Sequence, residues 1–559
     1  MRRSCTIIVL ISTIVLHFSP LRADEFFIAT GGSNGNSGTI GSPWGTFDFA
    51  IDQLDPGDTL WVRGGSYDLD SRIRLQSGDG GTSGNPVSIW SYQNEVPILD
   101  FDSMTGTWGS SSGRGIQIDD GVDWLHFKGL TIQNARDNGI GSQSDNSIFE
   151  QLTTRWNGDS GLQLDGSSSN NLVLNSDSYE NYDPSNNGEN ADGFAIKFAN
   201  LGPGNIVRGS RAWGNSDDGW DMWESTTGGV LVEDSWAFDN GKLIQQFFDK
   251  DALEDGDLSA GNFSGDGNGF KLGHDGGPHV LNRVLAWQNE VRGIDVNGNG
   301  FGVTVSNSTV YDSGRNWQFD ETAAETMNQH VLRNNISYAG SSSDQFQSGV
   351  DDSFNTWNGI PVNGADFLSL DDTIARGDRM LDGSLPISDF LRLDPVSNLV
   401  DAGTDVGLPF NGSAPDLGAF EVTDADFDGD GDVDGADFLI LQRGFGLDGQ
   451  TDNSFGDANV DTFVDSSDLA IWESQFGMSI PFSAVASVPE PTTLLLLSCA
   501  AMTFAWWRNR RSLILRITID ANTEMLTDPL KGALNGSLPR QGIRMHRKKH
   551  ILAKRQKTQ

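Results

Sequence analysis

The middle of the chain repeats a short pattern of polar and apolar positions. In six segments an apolar residue follows a glycine, and in five of them a small turn residue precedes that glycine. Stretches such as Leu172-Val173-Leu174 and Val230-Leu231-Val232 lie between these segments and have the composition of short strands. Successive glycines are 22, 32, 26, 50 and 24 residues apart. The glycines are Gly139, Gly161, Gly193, Gly219, Gly269 and Gly293.

Periods of 22 to 26 residues with several short strands per period are typical of solenoid proteins. Leucine-rich repeats have a similar period, but they need a ladder of leucines that this sequence lacks. We therefore predict an all-β fold, a right-handed parallel β-helix in which each period forms one coil of three strands.

A second landmark runs in phase with the glycines, since an asparagine stands shortly before each unit. We expect these side chains to stack in the turns and to satisfy one another's amide groups, because buried amides require hydrogen-bond partners. The asparagines are Asn134, Asn157, Asn181, Asn215, Asn240 and Asn289.

Two of the repeats are longer than the others and predict insertions. The extra residues fall at 182–190 and at roughly 241–266. In a solenoid such insertions become loops on one face of the coils, and loops of this kind often carry function.

Aligning the coils on their glycines predicts an acidic strip. Asp192 and Asp218 each precede a glycine, so they should lie on adjacent coils about 4.8 Å apart. Asp221 and Lys271 each stand two residues after a glycine, one coil apart, and Asp217 comes from the turn before Gly219. The alignment therefore predicts four carboxylates and one lysine in a single patch.

Charge and cysteine content narrow the chemistry of this patch. The chain has 77 acidic and 37 basic residues, a net charge of −40, which argues against nucleic-acid binding. Its two cysteines, Cys5 and Cys499, lie in apolar terminal segments, so the repeats contain no thiol ligand. Clustered carboxylates ionise together only beside a cation, and oxygen ligands without histidine or cysteine favour calcium. Alternatively, the Asp-Gly and Asn-Gly pairs serve only as turn residues.

Three motifs around the strip resemble polysaccharide lyase family 9, the pectate-lyase-like parallel β-helices, and the similarity spans roughly residues 26–421. A fourth stretch, residues 414–421, resembles the end of such helices and sets the predicted boundary of a lyase domain at 24–421. The three motifs are Asn190-Ala191-Asp192-Gly193-Phe194-Ala195, Arg211-Ala212-Trp213-Gly214-Asn215-Ser216-Asp217-Asp218-Gly219-Trp220-Asp221 and Gly267-Asn268-Gly269-Phe270-Lys271-Leu272-Gly273.

The resemblance implies a calcium-dependent lyase that cleaves polygalacturonate or a related uronan by β-elimination, with Lys271 as the base. Arg292, one coil further on, is a candidate for binding a substrate carboxylate, although an exposed structural arginine is the more common role for such a residue. The calcium ligands that the resemblance implies are Asp192, Asp217, Asp218 and Asp221.

Two other functions fit the residues. A β-helix glycoside hydrolase could use the paired Asp217 and Asp218 as acid and base, which would leave Lys271 without a catalytic role. A non-catalytic surface adhesin with the same fold is the third interpretation. Unsaturated, ultraviolet-absorbing products distinguish a lyase from both alternatives.

Residues 422–480 contain two acidic loops of the EF-hand type, each followed by an apolar stretch that predicts a short helix. The duplication resembles a type I dockerin, which implies a cohesin partner; a calcium-rigidified spacer is the alternative. Thr462 stands where the second loop should have glycine. The candidate ligands are Asp426, Asp428, Asp430, Asp432, Asp434 and Asp437 in the first loop, and Asp457, Asn459, Asp461, Asp465 and Asp468 in the second.

Both ends of the chain resemble targeting segments. Residues 1–23 have the basic, apolar and polar regions of a secretory signal peptide. Residues 481–511 resemble a PEP-CTERM sorting signal with a transmembrane segment at 492–507 that contacts the membrane before processing. A basic tail of unassigned role, 512–559, follows. We therefore expect an exported protein, secreted or held at the outer envelope of a Gram-negative-type bacterium.

Overall fold

The computed structural model describes residues 23–198, 200–225, 228–428, 433–450 and 452–477. Three sheets of 12, 10 and 10 strands form the main body, and every pair of neighbouring strands in them is parallel. Each of the ten complete coils contributes one strand to each sheet, and the first sheet has one further strand at each end; this confirms the prediction of an all-β parallel β-helix with three strands per coil.

The first sheet has the longest run of strands, and its outer face is partly exposed. Its strands are Glu25–Ile28, Thr59–Val62, Val87–Ser91, Leu125–Lys128, Ile148–Glu150, Leu172–Leu174, Asn205–Arg208, Val230–Glu233, Val280–Asn282, Thr304–Ser306, His330–Arg333 and Val350–Ser353.

The second sheet carries the glycine landmarks immediately before or within its strands. Its strands are Ile73–Leu75, Ile116–Ile118, Ile140–Ser142, Leu162–Leu164, Phe194–Ile196, Trp220–Asp221, Asn268–Lys271, Arg292–Asp295, Arg315–Phe319 and Gln345–Phe346.

The third sheet is covered on its outer side by the segment that follows the last coil, since Trp236, Phe238 and Trp287 pack with Phe390 and Leu393 of that segment. Its strands are Gly65–Asp68, Pro97–Asp100, Thr131–Gln133, Thr153–Arg155, Asp177–Tyr179, Arg211–Trp213, Trp236–Phe238, Leu285–Trp287, Thr309–Tyr311 and Ile336–Tyr338.

Helices are short and lie outside the coils. The α-helices are Phe47–Ile51, Gln245–Asp251, Gly435–Gly444 and Ser466–Gln475. The 3₁₀ helices are Ser111–Gly113, Pro184–Asn186, Thr356–Asn358, Gly364–Asp366 and Asn453–Phe455.

The core of the coils is a stack of apolar side chains. On the second sheet Phe194 pairs with Trp220, and Trp220 with Phe270, so their rings lie 5.1 and 4.7 Å apart between centroids. Because successive strand residues point to opposite faces, the neighbours Ala195, Asp221 and Lys271 point outward in one row. The alternation of inward and outward side chains therefore places apolar rings in the core and lines up Asp221 and Lys271 on the outer face.

The asparagine ladder forms as predicted for five of the six residues. Asn157 donates to Asn181 Oδ1 at 3.0 Å, and Asn181 donates to Asn215 Oδ1 at 2.9 Å. The ladder continues through Asn240 and Asn289 at 3.1 and 2.9 Å. Buried amides so paired avoid the cost of unsatisfied polar groups.

The prediction for Asn134 is wrong. Its side chain leaves the turn and donates to Asp100 Oδ1 at 2.8 Å. The reason is register: Asn134 stands five residues before its glycine, whereas Asn157 stands four before Gly161. Ala135 therefore occupies the ladder position, and its backbone N–H donates to Asn157 Oδ1 at 3.1 Å.

Both predicted insertions leave the coils at turns, and they pack against each other. The Tyr182 ring stacks on Phe247 with 4.9 Å between centroids, and its hydroxyl donates to Asp251 Oδ1 at 2.9 Å. Leu258 completes this small buried cluster. The 50-residue interval between Gly219 and Gly269 still returns in register, because Trp220 pairs with Phe270.

The C-terminal segment from Ala425 to Ile471 has its own small apolar core around the helices Gly435–Gly444 and Ser466–Gln475. This core includes Leu441, Val464 and Ile471. No helix in the described ranges is long and apolar enough to cross a membrane. The predicted segment 492–507, the sorting signal 481–511, the tail 512–559 and nearly all of the signal peptide lie outside the described residues.

Candidate active site

Four neighbouring strands of the second sheet position the outward row. Ala195 pairs with Asp221, Asp221 with Lys271, and Lys271 with Asp295. Asp221 and Lys271 thus occupy equivalent places on adjacent coils, as the glycine alignment predicts.

The turns before these strands bring three carboxylates together. Carboxylate oxygens of Asp192, Asp217 and Asp218 all lie within 4.8 Å of one another, and all three residues are buried. The glycine that follows is required by packing, since a Cβ at Gly219 would lie 2.6 Å from the Gly269 carbonyl oxygen. The glycine therefore permits the coils to stack, while the aspartates before it are available for another role.

Backbone groups fix the orientation of Asp217 and Asp218. Asp217 accepts hydrogen bonds from the N–H groups of Asp266 and Asn190 at 2.6 and 2.9 Å. Asp218 Oδ1 accepts one from Asn268 N at 2.8 Å, whereas its buried Oδ2 accepts none within the described part of the chain. This oxygen is ion-paired with Lys271 Nζ at 3.1 Å, and a bound cation would be a further partner for it.

Two lysines flank the carboxylates. Lys271 Nζ lies 3.1 Å from Asp218 Oδ2 and donates to Asp266 Oδ2 at 2.8 Å. Lys197 Nζ donates to Asp192 Oδ2 at 2.9 Å and to Asp221 Oδ2 at 2.8 Å. Asp221 is thus held mainly by Lys197 and stands apart from the group of three. Lys197 is missing from the predicted site, although it stands two residues after Ala195, on the outward face of the same strand.

Burial and mutual repulsion disfavour ionisation of the group of three. They raise the pKa of Asp192 to about 6 and that of Asp218 to about 8, and the pKa of Asp217 also lies well above its usual value. Added positive charge would favour the ionised form of these carboxylates, so they fit a divalent cation.

The lysines act in the opposite direction. Burial alone would raise the pKa of Asp221, but the ammonium groups of Lys197 and Lys271 lower it below the usual range. Burial alone would lower the pKa of Lys271, but Asp218, Asp221 and further carboxylates raise it well above the value of a free lysine. These carboxylates therefore hold Lys271 in its protonated form unless another cation neutralises them.

Arg292 lies on the same outer face, one strand beyond Lys271. Its guanidinium donates to Gln318 Oε1 at 2.8 Å and lies 3.1 Å from Asp295 Oδ2. The side chain is partly exposed, so it retains a face toward solvent.

The carboxylates lie closer together than those of an inverting glycoside hydrolase. Inverting enzymes hold their two carboxyl groups about 6.5–9.5 Å apart, and retaining enzymes about 5–5.5 Å apart. Asp217 and Asp218 have oxygens within 4.8 Å of each other and share their space with Asp192.

The first acidic loop of the C-terminal segment is only partly described, because Asp430 and Asp432 lie outside the described residues. Oxygens of Asp426, Asp428 and Asp437 lie within 4.8 Å of one another. Asp434 caps the helix Gly435–Gly444 by accepting from Ala436 N at 2.6 Å.

The second loop repeats this plan. Asp465 caps the helix Ser466–Gln475, and Asp468 accepts from Ala458 N at 2.8 Å, as Asp437 accepts from Phe427 N at 2.7 Å. Burial and neighbouring carboxylates raise the pKa values of three predicted ligands, to about 8, 6 and 7. These are Asp457, Asp461 and Asp468.

Asn459 and Thr462 complete the description of the second loop. The side chain of Asn459 donates to Asp461 Oδ2 at 2.9 Å. Thr462 has φ of +81°, the left-handed conformation that glycine adopts without strain. The backbone of Thr462 thus adopts the conformation that glycine has in an EF-hand-type loop, although the threonine side chain disfavours that conformation.

Comparison with known proteins places the β-helix in a family. The profile described as "Pel9A-like, right handed beta helix region" matches residues 26–335. The chain is 36% identical over 409 residues to pectate lyase L of Dickeya chrysanthemi, covering 71% of this chain and 90% of that protein. It is 37% identical over 412 residues to pectate lyase L of Paenibacillus polymyxa, with coverages of 69% and 85%.

A solved structure agrees with these matches. The crystal structure of pectate lyase Pel9A superimposes with a TM-score of 0.62 at 34% identity, covering 71% of this chain and 96% of that one. The comparisons confirm the family resemblance that the three sequence motifs indicate. The chain belongs to the Pel9A-like right-handed β-helix family, polysaccharide lyase family 9, and is a polysaccharide lyase.

Proposed function

We propose that the chain is a calcium-dependent lyase that cleaves polygalacturonate or a related uronan by β-elimination, with Lys271 as the base. The observation that carries this proposal is the position of Lys271 Nζ, 3.1 Å from a buried, otherwise unpartnered carboxylate oxygen of Asp218. The names of the relatives, which are pectate lyases, support the choice of substrate class.

The reaction removes the proton on C5 of a uronate, next to its carboxylate, and breaks the bond from C4 to the glycosidic oxygen. The electron pair of the C5–H bond forms the C4–C5 double bond, and the oxygen leaves with the electrons of the broken bond. Calcium, when bound, would neutralise the cluster, bind the uronate carboxylate, acidify the C5 proton and stabilise the developing negative charge.

The residues of this chain have separate roles in that proposal. Lys271 accepts the C5 proton at Nζ, at the exposed edge of the cluster where Asp266 reaches solvent. Arg292 binds a second substrate carboxylate through the exposed part of its guanidinium. The residues that would hold calcium are Asp192, Asp217, Asp218 and Asp221.

Incubation of the secreted portion with polygalacturonate and calcium tests the proposal. We expect products that absorb in the ultraviolet because they contain the new double bond, and we expect Lys271→Ala to lower kcat by about 10²- to 10⁴-fold. Lys128→Ala is the control, since Lys128 pairs with Glu150 on another sheet. Full activity in Lys271→Ala, or reducing ends without the absorbance, would contradict the proposed chemistry.

We further propose that residues 422–480 form a dockerin-like calcium module after a lyase domain at 24–421. The two capped helices and their acidic loops support a calcium-binding role. A cohesin partner and export through residues 1–23 and 481–511 remain predictions from the sequence. Binding of the purified segment to a panel of type I cohesins with and without calcium distinguishes a dockerin from a calcium-rigidified spacer.

A further inference from the structure

We propose that Lys197 is a permanent counter-ion of the candidate calcium centre, a buried ammonium group that competes with calcium for the same carboxylates. This inference rests on the proposed function, because it concerns the same acidic cluster. Lys197 would be a positioning residue that makes no contact with the substrate.

The contacts of Lys197 differ from those of Lys271. Lys197 Nζ bridges Asp192 Oδ2 and Asp221 Oδ2 at 2.9 and 2.8 Å, and its side chain is 8% exposed. Lys271 instead pairs outward with Asp266, whose side chain is 52% exposed. Both lysines are largely buried, since the Lys271 side chain is 11% exposed, but only Lys271 pairs with a carboxylate that reaches solvent.

The two carboxylates that Lys197 bridges are also held by other donors. Asp192 Oδ2 accepts from Ser160 Oγ at 3.1 Å, and Asp192 Oδ1 from Asp218 N at 3.2 Å. Asp221 Oδ1 accepts from Trp223 N at 3.1 Å. Lys197 is thus part of a fixed hydrogen-bond network, and its ammonium group has little freedom to leave the cluster.

The balance of charge explains why such a lysine is useful. The four buried carboxylates and the two lysine ammonium groups leave two negative charges when all are ionised, and Asp266, which pairs with Lys271 and reaches solvent, adds a third; one divalent cation would offset two of them. Without Lys197 the cluster would carry one more negative charge within a buried region, where unpaired charge is costly. Lys197 therefore allows the coils to stack before calcium arrives.

A counter-ion of this kind has a measurable signature. Lys197 and calcium both stabilise the same carboxylates and repel each other, so each should weaken the effect of the other. Coupling between two bound groups is reciprocal. Removing the ammonium group should therefore destabilise the calcium-free protein more than the calcium-loaded protein, and should tighten calcium binding.

Thermal unfolding of the full chain tests this signature. Wild type and Lys197→Met are compared in excess calcium and in chelator. We expect the variant to lose more Tm in chelator than in calcium, and its calcium dissociation constant at the cluster to fall at least about fivefold by isothermal titration. Lys197→Arg, which keeps the charge, should behave as wild type, and Lys128→Met should show equal losses in both conditions. The acidic loops at 426–468 are identical in all variants, so their contribution cancels.

Two results would overturn the inference. Equal losses of Tm in both conditions would make Lys197 an ordinary structural residue, and a larger loss in calcium would make it an organiser of the ligands. If Lys197→Met folds in neither condition, Lys197→Gln replaces it, because its amide can still donate to both carboxylates without charge. Tighter calcium binding by Lys197→Gln supports the inference, and unchanged or weaker binding overturns it.

The proposed function can fail separately. Asp218→Asn in the wild-type background shows whether calcium binds the cluster at all. If Asp218→Asn leaves calcium binding unchanged, the proposed calcium centre is wrong. If it removes one site while Lys197→Met shows no coupling, only the role of Lys197 is wrong.

Discussion

The molecule contains two acidic regions in which carboxylate pKa values are raised. The regions differ in how the chain brings their carboxylates together. In the β-helix, Asp192 comes from one coil and Asp218 and Asp221 from the next, and only the coil register brings the two coils' carboxylates together. In the second C-terminal loop, the carboxylates of Asp457 and Asp468 lie within one twelve-residue span. Burial raises the pKa of Asp218 to about 8 and the pKa of Asp457 to about 8.

The difference lies in what holds the carboxylates. Backbone N–H groups hold Asp468, which accepts from Ala458 and Asp465 at 2.8 Å each. In the β-helix cluster, backbone N–H groups also hold the carboxylates, but two lysine ammonium groups contact them as well. A site that performs proton transfer needs a group that can change its protonation, whereas a site that stabilises a fold needs only fixed ligands.

The largest expected effect is on activity. Asp218→Asn should lower kcat/KM on polygalacturonate by about 10²- to 10³-fold, because it removes a charge next to Lys271 from a preorganised electrostatic site. Asp468→Asn makes the same chemical change in the second loop and should leave kcat/KM within about twofold, since that residue has no contact with the cluster among the described residues. Equal losses in the two variants would mean that the C-terminal loops take part in catalysis.

Calcium removal should separate the two regions by stability. We expect chelator to increase hydrogen exchange in the helices Gly435–Gly444 and Ser466–Gln475 by at least about tenfold, because metal binding in such loops contributes directly to folding. The strands Phe194–Ile196 and Asn268–Lys271 should keep their protection, since sheet pairing and a long apolar core stabilise them. If these strands lose protection from exchange before the two helices do, the prediction that calcium mainly stabilises the C-terminal loops is wrong.

The smallest expected effect concerns Thr462. Its φ of +81° is unfavourable for a side chain with a branched Cβ, so Thr462→Gly should stabilise the calcium-loaded second loop by about 0.5–1 kcal/mol after the entropy of glycine is subtracted. Chemical denaturation of residues 422–480 measures the change. Thr462→Ala is the matched control, since it keeps a Cβ and should give no comparable gain.

The register of the site could be predicted because its landmarks are local. Each glycine fixes the turn that precedes a strand of the second sheet, and counting from it places Asp221 beside Lys271 across a 50-residue interval. The acidic loops are equally readable, because their ligands follow a fixed spacing.

What the sequence did not reveal depends on contacts without a landmark. Lys197 follows Ala195 at the end of a strand, and only the assembled coils show that its ammonium group reaches both Asp192 and Asp221. The predicted ladder position was also wrong by one residue at Asn134, since Ala135 occupies that position. The partnership of Asp266 with Lys271 arises because the inserted segment folds back over the cluster.

The way in which the two insertions join the coils has a consequence for how this enzyme could diversify. Residues 182–190 and 241–266 begin and end at turns, and the strands on either side pair as if nothing had been inserted. Much of their length can therefore be replaced without moving Lys271 relative to Asp218. The scaffold separates the parts that react from the parts that shape access, so new preferences for chain ends or branches could evolve by exchanging surface segments on an unchanged reactive row.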